Sequence, residues 1–340
     1  MTIHFLLKTK FILFLALLPM LLQAQDFSTL YEQLDPAVVT IQTTEITVSD
    51  GTINEGGGLG TGIIIDKEGL IMTAAHVVGS ANRILVKTYD NQLLEAEVVS
   101  SVTTADVALL KLKRIPPNLS VAKLGDSDSQ KIGEQVFIIG APYGLEHSFS
   151  TGHISGKQKR GIVLGGVEME FIQTDAAINQ GNSGGPMFNM RGELIGIVSS
   201  ILTQSGGFVG IGFAASINPV KKILLEGSPI WTGFEGIFMN KELAKIFNVP
   251  SGGGVLVQRI VTNSVADKAG LRGGLFEATI LGSKIWLGGD IILRIQKMVC
   301  DSPHDLGIIK SEMENFKKGE TITIEVLRAG KIIELDLLFE

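Results

Sequence analysis

The sequence predicts a mainly β protein: two small barrels, then a separate and smaller β-rich domain. Three observations predict it. From Ala37 to Ala215 short apolar runs rich in β-branched residues recur between Gly, Asn and Asp, as in Val38-Val39-Thr40-Ile41-Gln42 and Val136-Phe137-Ile138-Ile139. That spacing is the texture of short barrel strands. Helical periodicity is scarce until Asn218-Pro219-Val220-Lys221-Lys222-Ile223-Leu224. Beyond Glu226-Gly227-Ser228-Pro229 the texture changes to strands interleaved with capped helical turns, so residues 226–232 read as a linker.

The elements follow in order. Lys8 and Lys10 precede an apolar run from Phe11 to Leu22, and Leu22-Gln23-Ala24 offers a small residue for cleavage. Residues 1–24 therefore read as an export signal, with an uncleaved inner-membrane anchor as the alternative. The run is short of the roughly twenty residues of a membrane span. Asp26 to Asp35 forms an arm carrying Phe27, Leu30 and Tyr31, expected as a surface helix. Thr44 to Glu55 reads as a loop, and Gly56 to Gly62 as a flexible turn feeding a strand. That Gly-rich run precedes a strand pattern, which excludes a dinucleotide loop.

After the linker, Asn240 to Phe247 is a helical piece, Gly254 to Val257 a strand, and Ser264 caps a helical turn. Leu275 to Gly289 is an apolar insertion expected as an extra hairpin. Pro303 to Phe316 reads as a helix with Leu306, Ile309, Met313 and Phe316 on one face. Two strands joined at Arg328-Ala329-Gly330 close the chain.

Three motifs carry chemistry. They are Thr73-Ala74-Ala75-His76-Val77-Val78, Ala105-Asp106-Val107-Ala108-Leu109-Leu110 and Gly181-Asn182-Ser183-Gly184-Gly185-Pro186. A serine hydroxyl becomes nucleophilic when an imidazole takes its proton and a carboxylate holds that imidazole. His76, Asp106 and Ser183 supply this set, in the chain order of chymotrypsin-type hydrolases. Stabilising an oxyanion needs convergent backbone N–H groups, here those of Gly181 and Ser183. A side chain at 181 would obstruct them. His147 and His153 lack such a setting and read as loop or surface residues, and Asp175 reads as structural.

As a set, the three motifs resemble the HtrA (Deg) family of bacterial envelope serine proteases. The resemblance runs from about Leu30 to the C-terminus. It implies a chymotrypsin-like double-barrel protease domain over 25–225 and one PDZ domain over 233–340. It implies an ATP-independent periplasmic endoprotease acting on misfolded polypeptides, assembled as a homotrimer through the N-terminal arm. Gly233, Phe234, Glu235, Gly236 and Ile237 occupy the place of the loop that captures C-terminal peptides. Ala177 and Ile178, with Ile211 and Phe213, would wall the primary pocket and favour small aliphatic side chains. The alternative is a peptide-binding chaperone or stress sensor with little proteolysis.

Composition sets bounds. A hydrophobic content of 45% allows a packed core, and 29 basic against 35 acidic residues give a net charge of −6. No basic surplus exists to neutralise phosphates, so nucleic acid is not expected as a partner. The single cysteine, Cys300, forms no intramolecular disulfide and reads as an inert buried thiol. No metal-ligand cluster is apparent, and neither metal nor cofactor is expected.

Overall fold

The computed structural model describes residues 26–338, apart from 50–51, 80, 104, 165–166, 202–208, 227–231, 262–263, 281–282 and several positions between 303 and 318. The expected export signal and most of the expected linker lie outside the described residues. The double-barrel, mainly β architecture is what the structure shows.

The arm forms helix α1 (Phe27–Leu34), whose N-cap Asp26 accepts a hydrogen bond from Ser28 N–H. The first barrel contains β1 (Val38–Ser49), β2 (Thr52–Ile64), β3 (Leu70–Thr73), β4 (Arg83–Lys87), β5 (Leu93–Val102) and β6 (Val107–Leu112), closed in the order β1-β2-β3-β6-β5-β4. The alternation read from sequence is visible in β4, where Ile84 and Val86 point inward. Ile41, Ile64, Ile71, Leu94 and Leu110 join them in the core. A short helix, α2 (Ala75–Val78), follows β3.

Here one expectation is corrected. Thr44 to Glu55 is not a loop, and the Gly-rich run is not a turn. β1 and β2 pair continuously, from Val38 opposite Ile63 to Ser49 opposite Thr52. The glycines lie inside β2 because neighbours approach its backbone closely. A Cβ at Gly60 would stand 2.6 Å from Val77 Cγ1, and one at Gly62 would stand 2.8 Å from Ile71 Cγ2.

β7 (Lys123–Leu124) leads to the second barrel, made of β8 (Gln135–Gly140), β9 (Ser148–Leu164), β10 (Val167–Thr174), β11 (Pro186–Asn189), β12 (Glu193–Ile201) and β13 (Gly212–Ser216). Its ring runs β11-β8-β9-β10-β13-β12 and closes by pairing β12 with β11, while β7 adds in parallel to β12. One apolar cluster takes Ile63, Met72 and Leu109 from the first barrel and Phe137, Ile139 and Phe188 from the second. The two barrels therefore share a core, which fixes the junction between them. Helix α3 (Ile217–Lys221) packs Ile217 and Val220 into it.

The arm packs against its own second barrel. Phe27 meets Phe137 and Phe149 edge-on at 5.7 and 5.3 Å, and Tyr31 meets Phe149 at 6.1 Å. A fully buried side chain of this size contributes roughly 1.5–3 kcal/mol. Behind α1, Asp35 is only 3% exposed and pairs with His147 Nδ1 at 2.7 Å. Tyr31 Oη donates to the His147 carbonyl at 2.7 Å. His147 is thus a half-buried turn residue that anchors the arm.

The C-terminal unit has its own core. It contains β14 (Phe234–Met239), α4 (Lys241–Ile246), β15 (Gly254–Ile260), α5 (Val265–Lys268), β16 (Phe276–Ile280), β17 (Ser283–Leu287), β18 (Ile291–Ile295), β19 (Met298–Val299), β20 (Thr321–Arg328) and β21 (Lys331–Leu338). The main sheet runs β14-β15-β18-β20-β21. Its buried Asp290 takes a two-pronged grip from Arg328, at 2.7 and 2.6 Å. The insertion is a separate hairpin of β16 and β17. Of the expected helix from Pro303 to Phe316, Leu306, Ile309 and Phe316 pack into this core, while Pro303 and Met313 lie outside the described residues. Cys300 is fully buried, and burial pushes its thiol up to about 12.

The Asp35 hydrogen bond, against opposing burial, raises the His147 pKa above its ordinary 6.5. A raised folded value stabilises fully below the unfolded pKa and is lost as pH rises through the folded one. His147→Gln should therefore lower the melting temperature more at pH 5.5 than at pH 8.5, by about 2–4 °C for a loss near 1 kcal/mol. Equal losses at both pH values in a thermal melt would contradict this.

Candidate active site

The shared core brings the three motifs to one edge of the barrel junction. His76 sits on α2, held by Ala74 and Ala75, which are 0% and 1% exposed. Asp106 lies in the turn before β6 at φ 54°, an uncommon conformation for a non-glycine residue, anchored by buried Ala105. That conformation aims the carboxylate at the imidazole. Asp106 Oδ1 and Oδ2 lie 2.8 and 2.9 Å from His76 Nδ1, and Oδ1 also accepts the His76 backbone N–H at 3.1 Å.

Ser199 of β12 completes the carboxylate's shell, donating to Asp106 Oδ2 at 2.6 Å. Sequence reasoning missed it. The one signal was a serine at the end of the apolar run Ile195-Gly196-Ile197-Val198.

Ser183 lies in the tight segment between β10 and β11. Its carbonyl accepts Thr61 N–H at 2.9 Å, and Gly184 N–H donates to Val198 O at 2.7 Å, so each barrel holds one side. Gly184 has φ 82°, and a Cβ there would collide with Thr73 Oγ1. Gly181 has φ 101°, and a Cβ there would collide with Ala141 O. Both positions require glycine.

The two peptides that flank Gly181 are each held by one hydrogen bond. Tyr143 N–H donates to Gln180 O at 2.8 Å, and Thr61 Oγ1 donates to Gly181 O at 2.6 Å. In a trans peptide the C=O and the next N–H point in opposite directions. Holding Gln180 O toward Tyr143 leaves the Gly181 N–H aimed the other way. Among the described residues, neither the Gly181 nor the Ser183 N–H donates to a protein group. Two backbone N–H groups beside the serine are thus without an acceptor among the described residues. The Ser183 hydroxyl makes no hydrogen bond to a described residue, and catalytic hydrogen bonds of this kind tighten in the complex with substrate.

A cleft of about 230 Å³ opens beside Ser183. His76, Gly181 and Ser183 form its floor, and Thr43, Glu45 and Gly58 of the β1–β2 hairpin form one wall. None of the four expected pocket residues lines this cleft. Ala177 is exposed, Ile178 is buried beneath it in the second barrel's core, Phe213 is buried on β13, and Ile211 is half-buried just before it.

In the C-terminal unit, Phe234 to Ile237 belong to β14, which is the edge strand of its sheet. Gly233 has φ 80°, and its carbonyl accepts Val261 N–H at 2.8 Å. Glu235 faces the first barrel instead of a groove, since a Cβ on Gly79 would stand 2.7 Å from Glu235 Oε1.

Two closed barrels with this junction define a trypsin-like peptidase, and the family model for the trypsin-like peptidase domain matches residues 60–197. Over 289 residues the chain is 38% identical to a probable periplasmic serine endoprotease, DegP-like, of Pseudomonas putida, covering 83% of this chain and 56% of that one. It is 35% identical to a second P. putida relative of the same name, covering 92% of this chain and 69% of that one. A Hahella chejuensis relative of the same name is 33% identical. Among solved structures, the HtrA-type protease AlgW with decapeptide superposes with a TM-score of 0.53 at 28% identity, covering 92% of this chain and 97% of that one. AlgW with tripeptide gives 0.52 at 30% identity, covering 92% and 96%. The chain belongs to the DegP-like, HtrA-type family of serine endoproteases.

The Asp106 hydrogen bond raises the His76 pKa above 6.5, while burial opposes it. A general base must be neutral, so kcat/KM on a peptide substrate should climb with pH through a midpoint above 6.5. Asp106→Asn should cost about 10⁴ in kcat. A flat profile from pH 5.5 to 8.5 would show that His76 is not the base.

Proposed function

We propose that this chain is an ATP-independent serine endoprotease of the bacterial periplasm that degrades misfolded or damaged proteins. The orientation of the Gln180–Gly181 peptide beside a paired His76 and Asp106 is the observation that carries this reading. In the reaction, Ser183 Oγ attacks the scissile carbonyl carbon while His76 Nε2 takes its proton. Asp106 keeps the Nδ1–H in place and stabilises the imidazolium. The carbonyl oxygen, now negative, is held by the N–H groups of Gly181 and Ser183. His76 then hands its proton to the leaving amine, and water repeats the sequence to release the acyl group.

Ala177 at the surface, Ile178 beneath it, and Ile211 and Phe213 beside β13 form the primary pocket in this reading. All are uncharged, so cleavage follows Val, Ala, Ile or Leu. The C-terminal unit is a PDZ domain over 233–340, whose edge strand β14 and Gly233 turn take the C-terminus of a polypeptide and bias the protease. Such bias requires that the peptide favour one state of the site over another. Assembly as a homotrimer belongs to the same reading. The arm's own aromatics are occupied within the chain, but Tyr89, Leu145 and Phe149 near it remain 53%, 68% and 38% exposed.

Casein digestion tests the reading. Wild-type protein should degrade casein, and mass spectrometry should find small aliphatic residues before the cuts. Ser183→Ala should abolish cleavage with an unchanged melting temperature, because only the nucleophile is lost. Retained cleavage would refute the nucleophile, and Lys or Arg before the cuts would refute the pocket. Peptide binding without turnover by the wild type would favour a chaperone or sensor.

A further inference from the structure

The inserted hairpin has a use that the protease reading leaves open. Gln258 of β15 clasps it, its side-chain Nε2 donating to Trp286 O at 3.1 Å and its Oε1 accepting Trp286 N–H at 2.7 Å. This fixes the Trp286 ring beneath the Arg259 guanidinium, 5.6 Å from ring centroid to Cζ. A stacked guanidinium loses rotational freedom and is aimed by the ring. Arg259 reaches across to the first barrel and forms an ion pair with Glu45. Glu45 lies on β1 and walls the cleft that holds His76 and Ser183. Its Oε1 is buried without a hydrogen bond, so Arg259 is its close countercharge. Glu235 stands near the pair, and burial raises its carboxyl pKa while Arg259 opposes the rise.

The position of Glu45 identifies which part of a substrate it meets. The acyl half must present its side chain toward Ala177 and β13. The cleft walled by Glu45 is lined by none of the residues of that acyl-side pocket, which assigns it to the leaving half of the substrate. We infer that Arg259, propped by the Trp286 hairpin, sets the charge selectivity of the leaving-group side of the cleft by neutralising Glu45. The C-terminal unit thus reaches a wall residue of the substrate cleft through the Arg259–Glu45 pair. With the pair intact, the guanidinium balances the Glu45 carboxylate. Without Arg259 it presents a carboxylate, and without Glu45 it presents a guanidinium.

This inference rests on the protease reading, so the test separates the two. Two quenched-fluorescence peptides would be compared, each with Val before the scissile bond and a C-terminal amide. They differ only in Lys or Glu at the second residue after that bond. Their kcat/KM ratio would be measured for wild type, Arg259→Gln, Glu45→Gln, the double variant and Trp286→Ala. The same peptides would be titrated by fluorescence anisotropy against these proteins carrying Ser183→Ala.

For a partly exposed pair the expected change is about three- to fivefold. The Lys:Glu ratio should rise in Arg259→Gln, fall in Glu45→Gln and return toward wild type in the double variant. Trp286→Ala should shift it in the direction of Arg259→Gln, by less. A merely structural pair would move both peptides together and leave the ratio alone. Ratios that stay flat, or move the same way in both single variants, overturn the inference. If nothing is cleaved yet the binding ratio moves as described, the inference stands and the protease reading fails.

Discussion

The structure turns on one peptide unit, the bond between Gln180 and Gly181. Tyr143 holds its carbonyl on one side and Thr61 holds the next carbonyl on the other. Each of these partners constrains further sequence. Thr61 must sit within a strand that closely approaches both Val77 and the Ser183 carbonyl, which is why β2 is glycine-rich just there. Tyr143 itself adopts φ 52°, so its loop spends conformational freedom to present one N–H. The two barrels supply these groups separately, and their shared apolar core keeps them in register. In the proposed mechanism these groups act as an oxyanion site, which works by being arranged before charge develops.

The charged groups are arranged with the same separation of duties. Asp106 receives hydrogen bonds from His76 and Ser199 and is held by a strained turn. A carboxylate satisfied in this way fixes the imidazole tautomer. Farther out, Asp35 and His147 tie the N-terminal helix to the segment that follows Tyr143. Glu45 and Arg259 tie the C-terminal unit to the cleft wall. Both outlying pairs therefore join a peripheral element to a segment that borders the site, whereas the Asp290–Arg328 pair stays within its own sheet.

Much of this was legible in the residues. The strand texture gave two barrels, and three local motifs named His76, Asp106 and Ser183, which the fold brings to one junction. Gly181 was legible because only glycine suits so tight a turn. What could not be read were the partners that depend on register. Ser199 and Thr61 are ordinary residues within strands, and their roles follow from which carbonyl or carboxylate lies opposite. The glycines of β2 look like a turn until the fold places Val77 of α2 and Ile71 of β3 against them. The anchoring role of His147 could not be read because its partner, Asp35, lies 112 residues away. Glu45 fell in an expected loop, and the clasp between Gln258 and Trp286 joins segments that carry no motif.

Fluorophosphonate labelling tests the central claim most directly. The reagent forms a tetrahedral adduct on an activated serine, and its oxygen must enter the same two-donor site. Intact and tandem mass spectrometry of wild-type protein should find a single adduct, on Ser183. In Gly181→Ala, where the added Cβ meets Ala141 O, the labelling rate should fall at least about a hundredfold. An adduct on another serine, or an undiminished rate in Gly181→Ala, would contradict the account.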